Sequence, residues 1–248
     1  MALDKKIAVV TGAAAGIGRA IALRLAREGA FVAGIDSNEK GVSDIAQEIM
    51  GLGSQACAYQ ADIRDSDCIR TITENIQNKY GYINILVNNA GIYHHLEDGS
   101  KMRMKFADSN VAIWRRVLEV NLLGTMIVTH AVLPGMMHMK GGKIINIGSV
   151  AGVNGLATMV DYSASKGGMI AFTHALAIEL GEYQINVNCV SPGSIDVGRG
   201  GPQTFLGRVG RPEEVANLVC FLAGDESDFI TGQNFIIDGG RILSMKCN

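Results

Sequence analysis

One stretch decides the fold of this chain: Val9-Val10-Thr11-Gly12-Ala13-Ala14-Ala15-Gly16-Ile17-Gly18-Arg19-Ala20. An apolar run is followed by three glycines with the spacing G-x-x-x-G-x-G, and apolar residues then recur at helical spacing. The pattern predicts a strand, a tight turn and a helix. Glycines let a backbone approach a ligand closely, and the first N–H groups of a helix suit a pyrophosphate. The stretch therefore predicts a dinucleotide-binding turn, although glycine-rich turns also serve purely structural purposes.

The alternation of apolar run and helix continues along the whole chain. It predicts repeated βα units and a parallel sheet. We expect a single α/β domain over residues 1–248, with a doubly wound Rossmann-type fold, a seven-stranded parallel sheet and helices on both faces. The predicted strands are Ile7 to Val10, Phe31 to Ile35, Gln55 to Gln60, Ile83 to Val87, Lys143 to Ile147, Ile185 to Val190 and Asn234 to Ile237.

Composition narrows the classes of protein and partner. Hydrophobic residues make up 48% of the chain and there are 4 prolines, which favours a large core over disorder. The net charge is -2 with scattered basic residues, so we expect neither a nucleic acid nor a membrane partner. The 5 cysteines are widely spaced and indicate reduced thiols, not disulfides or a zinc site. No signal peptide or apolar run of membrane-spanning length is expected, which indicates a cytoplasmic protein.

An acidic residue ends the second predicted strand. Asp36 follows Gly18 by eighteen residues, where a carboxylate can accept hydrogen bonds from an adenosine ribose and repel a 2′-phosphate. Ala15, Ser37 and Asn38 provide no basic side chain for such a phosphate. The pattern favours NAD over NADP, and the alternative is a carboxylate that is simply solvated.

A phenol and an ammonium lie four residues apart in Asp161-Tyr162-Ser163-Ala164-Ser165-Lys166-Gly167-Gly168, a segment with helical character. Tyr162 and Lys166 would then lie on one face of a helix, one turn apart. A neighbouring cation favours the phenolate and can make the phenol an acid or base. The isolated pair is common in helices without a catalytic role. Ser149, after the fifth predicted strand, adds a hydroxyl that could donate to an oxyanion.

Polar residues follow two other predicted strands. Asp62-Ile63 and Asn88-Asn89-Ala90-Gly91 lie at carboxyl ends, where open α/β sheets bind ligands, although asparagines there also serve as loop fillers. A long helix is predicted from Val111 to His138. Asn121 in its middle is unfavourable by propensity, which indicates a role beyond packing.

Five polar residues are candidates for lining a substrate pocket: Tyr93, His94, His95, Asn154 and Ser194. The histidine pair lacks a third ligand at suitable spacing, so a loop beside the substrate is favoured over a metal site. The polarity of the set favours a sugar or polyol over a steroid, and the alternative is that these residues face water.

Together these residues resemble the short-chain dehydrogenase/reductase family. The resemblance runs in order from about residue 4 to residue 240. It rests on Thr11-Gly12-x-x-x-Gly16-Ile17-Gly18, Asp62, Asn88-Asn89-Ala90-Gly91, Asn121, Ser149, Tyr162-Ser163-Ala164-Ser165-Lys166 and Pro192-Gly193.

The resemblance implies four catalytic residues. Tyr162 would be the general acid/base at the substrate oxygen, and Lys166 would lower its pKa and hold the nicotinamide ribose. Ser149 would hydrogen-bond the substrate oxygen. Asn121 would hold a water that links Lys166 to solvent.

The resemblance also implies where NAD binds. Gly12, Gly16, Ile17 and Gly18 would line the pyrophosphate, Asp36 the adenosine ribose, Asp62 and Ile63 the adenine, Asn89, Ala90 and Gly91 the side of the cofactor, Tyr162 and Lys166 the nicotinamide ribose, and Pro192 and Ile195 the carboxamide.

The chain departs from the family after Pro192-Gly193. The family usually has a substrate lid before a Gly-Arg-x-Gly-x-Pro-Glu-Glu stretch, and here that stretch begins at Gly207. The lid, expected around residues 194–207, is either shortened or incomplete in this sequence.

The sequence thus predicts an NAD-dependent oxidoreductase that interconverts a secondary alcohol and a ketone. Its substrate would be a sugar, polyol or other small polar alcohol, and the resemblance implies a homotetramer. Two alternatives stay open. One is an NADPH-dependent 3-ketoacyl-thioester reductase, against which Asp36 argues. The other is a non-catalytic dinucleotide-sensing protein, which need not retain Ser149, Tyr162, Lys166 and Asn121 together.

Overall fold

Seven parallel strands form one sheet in the computed structural model, which describes residues 1–93, 104–198 and 204–244. The strand order is β3-β2-β1-β4-β5-β6-β7, which is the predicted doubly wound fold. All seven predicted strands are present, with ends that differ by at most two residues. They are β1 Ile7–Thr11, β2 Phe31–Asp36, β3 Ala56–Gln60, β4 Ile85–Asn88, β5 Gly142–Ile147, β6 Ile185–Pro192 and β7 Asn234–Ile237.

Helices cover both faces of the sheet, which explains why its central strands are apolar without alternation: every residue of β1 is buried. Helices α1, α2 and α8 contribute to the core on one face, and α3, α5 and α7 to the core on the other. The helices are α1 Gly16–Arg27, α2 Glu39–Gly51, α3 Ser66–Tyr80, α4 Val111–Leu118, α5 Thr125–Met139, α6 Val150–Asn154, α7 Val160–Leu180 and α8 Pro212–Ala223.

The predicted long helix is continuous but not uniform. Between α4 and α5 the segment Glu119–Gly124 forms a π-helical turn, a feature that is rare and often found at functional sites. The 29-residue helix Val111–Met139 is also apolar enough to span a membrane by length and composition. The expectation that no apolar run reaches that length is therefore wrong for this segment. The helix packs on α3 and α7.

The sheet has a switch point between β1 and β4. The chain leaves β1 towards β2 and β3, then returns to place β4 on the opposite side of β1. The connections after β1 and β4 therefore diverge and leave a crevice at the carboxyl ends of these strands.

The cysteines of the described residues form no disulfide: Cys57, Cys68, Cys189 and Cys220 are free. Cys247 lies outside the described residues.

Candidate active site

A cavity of about 630 Å³ lies at the carboxyl edge of the sheet, over the switch point. It brings together residues that are up to 185 positions apart, from Gly12 to Val197. Of the residues predicted to be catalytic or to bind the cofactor, only Asn121 is not part of the lining. The others all line it: Gly12, Gly16, Ile17, Gly18, Asp36, Asp62, Ile63, Asn89, Ala90, Gly91, Ser149, Tyr162, Lys166, Pro192 and Ile195.

The glycine turn is shaped to admit a ligand close to its backbone. Gly12 and Gly16 have φ angles of 65° and 54°, in the left-handed region that favours glycine. A Cβ on Gly18 would lie well inside contact distance of Gly12 O and Asn89 Nδ2. Helix α1 begins directly after this turn and has no side-chain cap. The turn and the uncapped helix start fit a pyrophosphate.

Thr11 is a site residue whose role sequence reasoning missed. Its buried hydroxyl accepts hydrogen bonds from the backbone N–H groups of Asn89 (3.0 Å) and Ala90 (3.1 Å), and donates to Val87 O at 3.4 Å. The Asn89 amide in turn donates to Thr11 O and Gly12 O, both at 3.0 Å. These bonds fix the end of β1 to the end of β4. A hydroxyl residue directly before the first glycine was the available signal.

Asp36 is held rigidly at the end of β2. Its Oδ2 accepts from Ala14 N at 3.0 Å and its Oδ1 from Asn38 N at 2.9 Å. The carboxylate is thereby turned towards the glycine turn, as a ribose-binding group requires.

Asp62 does not stand alone at the end of β3. Arg64 donates to both of its carboxylate oxygens, with Nη2 to Oδ2 at 2.6 Å. Arg64 lines the same cavity and was missed by sequence reasoning, although a basic residue two positions after the aspartate was a visible signal.

Ser149, Tyr162 and Lys166 converge beyond the end of β5. Ser149 is the N-cap of α6, where its Oγ accepts from Ala151 N at 3.1 Å. Tyr162 and Lys166 lie one turn apart on α7, as predicted. Lys166 is buried, and its Nζ donates to Ile147 O at 2.7 Å and lies 5.9 Å from the centroid of the Tyr162 ring.

Burial shifts the pKa values of Tyr162 and Lys166 in opposite directions. Desolvation raises the pKa of Tyr162 to about 12, while the hydrogen bond with Ser149 lowers that pKa and the phenol of Tyr93 raises it. Burial lowers the pKa of Lys166 to about 8. Lys166 Nζ is directed to Ile147 O, and desolvation is the largest effect on the Tyr162 pKa. The lowering of the Tyr162 pKa by Lys166 stays a prediction.

Asn121 lies beneath the cavity, in the π-helical turn. It is fully buried; its Oδ1 accepts from Ile92 N at 2.7 Å, and its Nδ2 donates to Ile92 O at 2.8 Å and to Ser165 Oγ at 3.0 Å. These bonds tie α7 to the loop after β4, so Asn121 has the role beyond packing that its unfavourable position indicated. Its role in holding a water stays a prediction.

The predicted pocket residues divide into three groups. Tyr93 lines the cavity, and its ring meets that of Tyr162 edge-on, with centroids 5.5 Å apart. Asn154 and Ser194 lie outside the lining; the first is exposed, and the hydroxyl of the second accepts from Arg241 Nη1 at 2.8 Å. His94 and His95 lie outside the described residues.

The predicted lid is described only at its two ends, because residues 199–203 lie outside the described part. There, Asp196 N donates to Gly210 O at 2.8 Å and Gly210 N to Ser194 O at 2.9 Å. These bonds hold the two ends of the segment together. Within the described ranges no cluster of three or more His, Cys, Asp or Glu side chains could hold a metal ion.

The chain is similar to known proteins. A family model described as short chain dehydrogenase matches residues 6–203. This chain belongs to the short-chain dehydrogenase family. It is 39% identical to the 3-oxoacyl-[acyl-carrier-protein] reductases FabG of Thermotoga maritima and Escherichia coli, over 98% of this chain and 100% of each relative.

Two solved structures are similar to this short-chain dehydrogenase, each with a TM-score of 0.89 over 97% of the chain. An NAD+-bound xylitol dehydrogenase is 31% identical, with all of its chain covered. A 3-oxoacyl-[acyl-carrier protein] reductase with bound NAD from Brucella melitensis is 35% identical, with 92% covered. The family resemblance and the fold class predicted from the sequence are confirmed, and the chain is an oxidoreductase of this family that acts on small molecules.

Proposed function

We propose that this short-chain dehydrogenase interconverts a secondary alcohol and a ketone with NAD, and that Tyr162 is its general acid/base. One observation carries the proposal. Ser149, Tyr162 and Lys166 line the cavity that the glycine turn also lines, so a group for proton transfer and a site for a hydride carrier share one space.

The chemistry divides between the chain and the cofactor. Ser149 and Tyr162 would bind the substrate oxygen, and Tyr162 would take its proton in the oxidation or return it in the reduction. Oxidised nicotinamide, when bound, takes a hydride from carbon, and its positive charge favours the phenolate. Lys166 would hold the nicotinamide ribose and add a second positive charge, and Asn121 would hold a water that leads from Lys166 to solvent.

The rest of the cavity would hold the dinucleotide. Asn89, Ala90 and Gly91 would run beside it, with Pro192 and Ile195 at the carboxamide. Gly12, Gly16, Ile17 and Gly18 would meet the pyrophosphate, Asp36 the adenosine ribose, and Asp62 and Ile63 the base.

NAD is favoured over NADP by the charge and orientation of Asp36. Two backbone N–H groups hold its carboxylate in place. A 2′-phosphate at the ribose would meet a fixed negative charge, while ribose hydroxyls would meet an acceptor.

Replacing Asp36 with alanine should reverse this preference in part. The variant loses the acceptor for the ribose and the repulsion of the 2′-phosphate, so the ratio of kcat/KM with NAD to that with NADP should fall by about tenfold or more. Steady-state rates with both cofactors measure the ratio. The control is Asp44→Ala, an exposed aspartate on α2 paired with Lys40, which should leave the ratio unchanged. An equal loss with both cofactors in Asp36→Ala would contradict the assignment.

Replacing Ser149 with alanine should move the pH dependence of alcohol oxidation to higher pH. The Ser149 hydrogen bond lowers the pKa of Tyr162, so its removal raises that pKa. Oxidation needs the phenolate, and the rising limb of log kcat against pH then shifts in the alkaline direction. A lower rate with an unmoved limb would show that Ser149 binds substrate without tuning Tyr162.

Two substrate classes have support. The NAD+-bound xylitol dehydrogenase favours a sugar, polyol or other small polar alcohol. The relatives named 3-oxoacyl-[acyl-carrier-protein] reductase favour a 3-ketoacyl thioester as the second candidate. A panel of polyols, simple secondary alcohols and a 3-ketoacyl thioester, each run with NAD(H) and NADP(H), separates them. Turnover of the thioester alone, with NADPH, would overturn the first proposal.

We also propose that residues 1–248 act as one domain in a cytoplasmic homotetramer. An apolar groove along α4 and the start of α5 supports self-association, with Val111, Leu118 and Leu123 exposed by 58%, 39% and 49%. Such a face usually marks an interface. Sedimentation equilibrium should give four times the 26.3 kDa chain mass, and a monomer at micromolar concentration would refute the tetramer.

A further inference from the structure

The order of the strands determines what meets the far end of a bound dinucleotide. Asp36 ends β2, and Asp62 and Arg64 follow β3, the next strand outward and the edge of the sheet. Tyr162 lies on the other side of β1. A dinucleotide whose nicotinamide meets Tyr162 and whose adenosine ribose meets Asp36 therefore brings its purine to Asp62 and Arg64; this step rests on the proposed function.

Arg64 and Asp62 form one rigid unit at this end of the cavity. Nε of Arg64 lies 3.1 Å from Oδ1 and 3.0 Å from Oδ2, Nη2 lies 2.6 Å from Oδ2, and the backbone N lies 2.9 Å from Oδ1. Glu119 Oε2 lies 3.7 Å from Nη1 and steadies the guanidinium from the side of the π-helical turn. A forked contact of this kind fixes the plane of both groups. Both side chains are nonetheless exposed by more than 40% and line the cavity.

The Asp62–Arg64 unit can still both accept and donate hydrogen bonds. A carboxylate has about four lone-pair positions, and three N–H groups of Arg64 use three of them. The hydrogen bond from Arg64 lowers the pKa of Asp62, so the carboxylate is ionised at neutral pH and acts only as an acceptor. The guanidinium has N–H groups beyond the two that Asp62 accepts. The unit can therefore offer one acceptor and at least one donor to a ligand.

Purines differ in whether the group at position 6 donates or accepts a hydrogen bond. Adenine carries an amino group there, which donates, and hypoxanthine carries a carbonyl oxygen, which accepts. A lone carboxylate would bind the first and repel the second, because two acceptors would face each other.

We propose that Asp62 and Arg64 act together as a purine-binding pair. Asp62 would bind the 6-amino group of adenine, and Arg64 would bind the 6-oxo group of hypoxanthine. The chain would then bind NAD and nicotinamide hypoxanthine dinucleotide with similar affinity. Each partner would be needed for only one of the two bases.

Equilibrium binding tests the pair without turnover. Isothermal titration calorimetry with NAD and with nicotinamide hypoxanthine dinucleotide should give dissociation constants within about threefold of each other for the unaltered protein. Arg64→Met should weaken the hypoxanthine dinucleotide by about tenfold more than NAD, and Asp62→Ala should weaken NAD by about tenfold more than the hypoxanthine dinucleotide. The matched control is Arg70→Met, because Arg70 pairs with Asp67 on the exposed face of α3, outside the cavity lining. It should change neither constant.

The opposite directions expected of the two variants separate this pattern from a folding defect, which would weaken both dinucleotides together. Parallel losses in both variants, or a preference of the unaltered protein for NAD above about a hundredfold, would overturn the pair while leaving the proposed function intact. Failure of the unaltered protein to bind either dinucleotide would instead overturn the proposed function and the pair with it.

Discussion

Tyr162→Phe should lower kcat for alcohol oxidation by about 10²- to 10⁴-fold, the usual contribution of a positioned acid/base group. The substitution removes one oxygen and keeps the ring that meets Tyr93 edge-on. The half-buried ring should therefore stay in place, and the loss should fall on proton transfer. Absorbance of reduced nicotinamide during turnover measures the rate, and calorimetric titration with NAD measures binding separately.

The matched control is Tyr82→Phe. Tyr82 is a 42% exposed tyrosine in the connection between α3 and β4, at the opposite edge of the sheet. It should keep full activity. Turnover by Tyr162→Phe at the unaltered rate would remove Tyr162 from the mechanism. Loss of NAD binding together with activity would make Tyr162 a binding residue, not the acid/base.

Much of the fold could be predicted because its signals are local. The strands inside the sheet are short apolar runs that are mostly buried, and the glycine turn needs left-handed backbone at Gly12 and Gly16. Both features are visible in a few consecutive residues. Many residues of the site likewise lie at strand ends, which the βα alternation locates once the fold class is known. Tyr162 and Lys166 lie on α7 and were indicated by their helical spacing.

The features that could not be predicted depend on contacts between distant segments. The π-helical turn at Glu119–Gly124 places Asn121 against Ile92. The periodicity of the sequence does not predict this turn. The direction of the Tyr162 pKa shift also depends on tertiary structure. Residue spacing indicated that a cation lies near Tyr162. Whether the pKa of Tyr162 rises or falls depends on desolvation and on the direction of Lys166 Nζ.

The ion pair between Asp62 and Arg64, at the adenine end of the cavity, was missed for a related reason. The resemblance assigned Asp62 to the adenine without considering a partner for its carboxylate. Its partner Arg64 is only two residues away, but whether such a neighbour turns back or points to solvent depends on groups such as Glu119, which lies 55 positions further along the chain.

Gly18→Ala should weaken dinucleotide binding and destabilise the fold. The added methyl group would be forced against Gly12 O, which is backbone, and against Asn89 Nδ2, which is held by its own hydrogen bonds to Thr11 O and Gly12 O. Neither atom can move without separating the glycine turn from the end of β4. Overpacking of this kind costs about 1–3 kcal/mol of unfolding free energy, and the displaced turn should raise the dissociation constant for NAD by about tenfold or more. Thermal unfolding and calorimetric titration measure the two effects.

A matched glycine separates the steric argument from a general intolerance of substitution. Gly51 ends α2, and a Cβ there would meet no atom within 4 Å. Gly51→Ala should leave NAD binding unchanged and should leave Tm unchanged or slightly raised, because alanine favours a helix by about 0.5–1 kcal/mol over glycine. The contrast matters because both glycines lie in helices and neither has a positive φ angle. A Gly18→Ala protein that kept its Tm and its affinity for NAD would mean that the turn and the end of β4 can separate freely. Close approach of the two segments would then not be what makes this edge of the sheet a dinucleotide site.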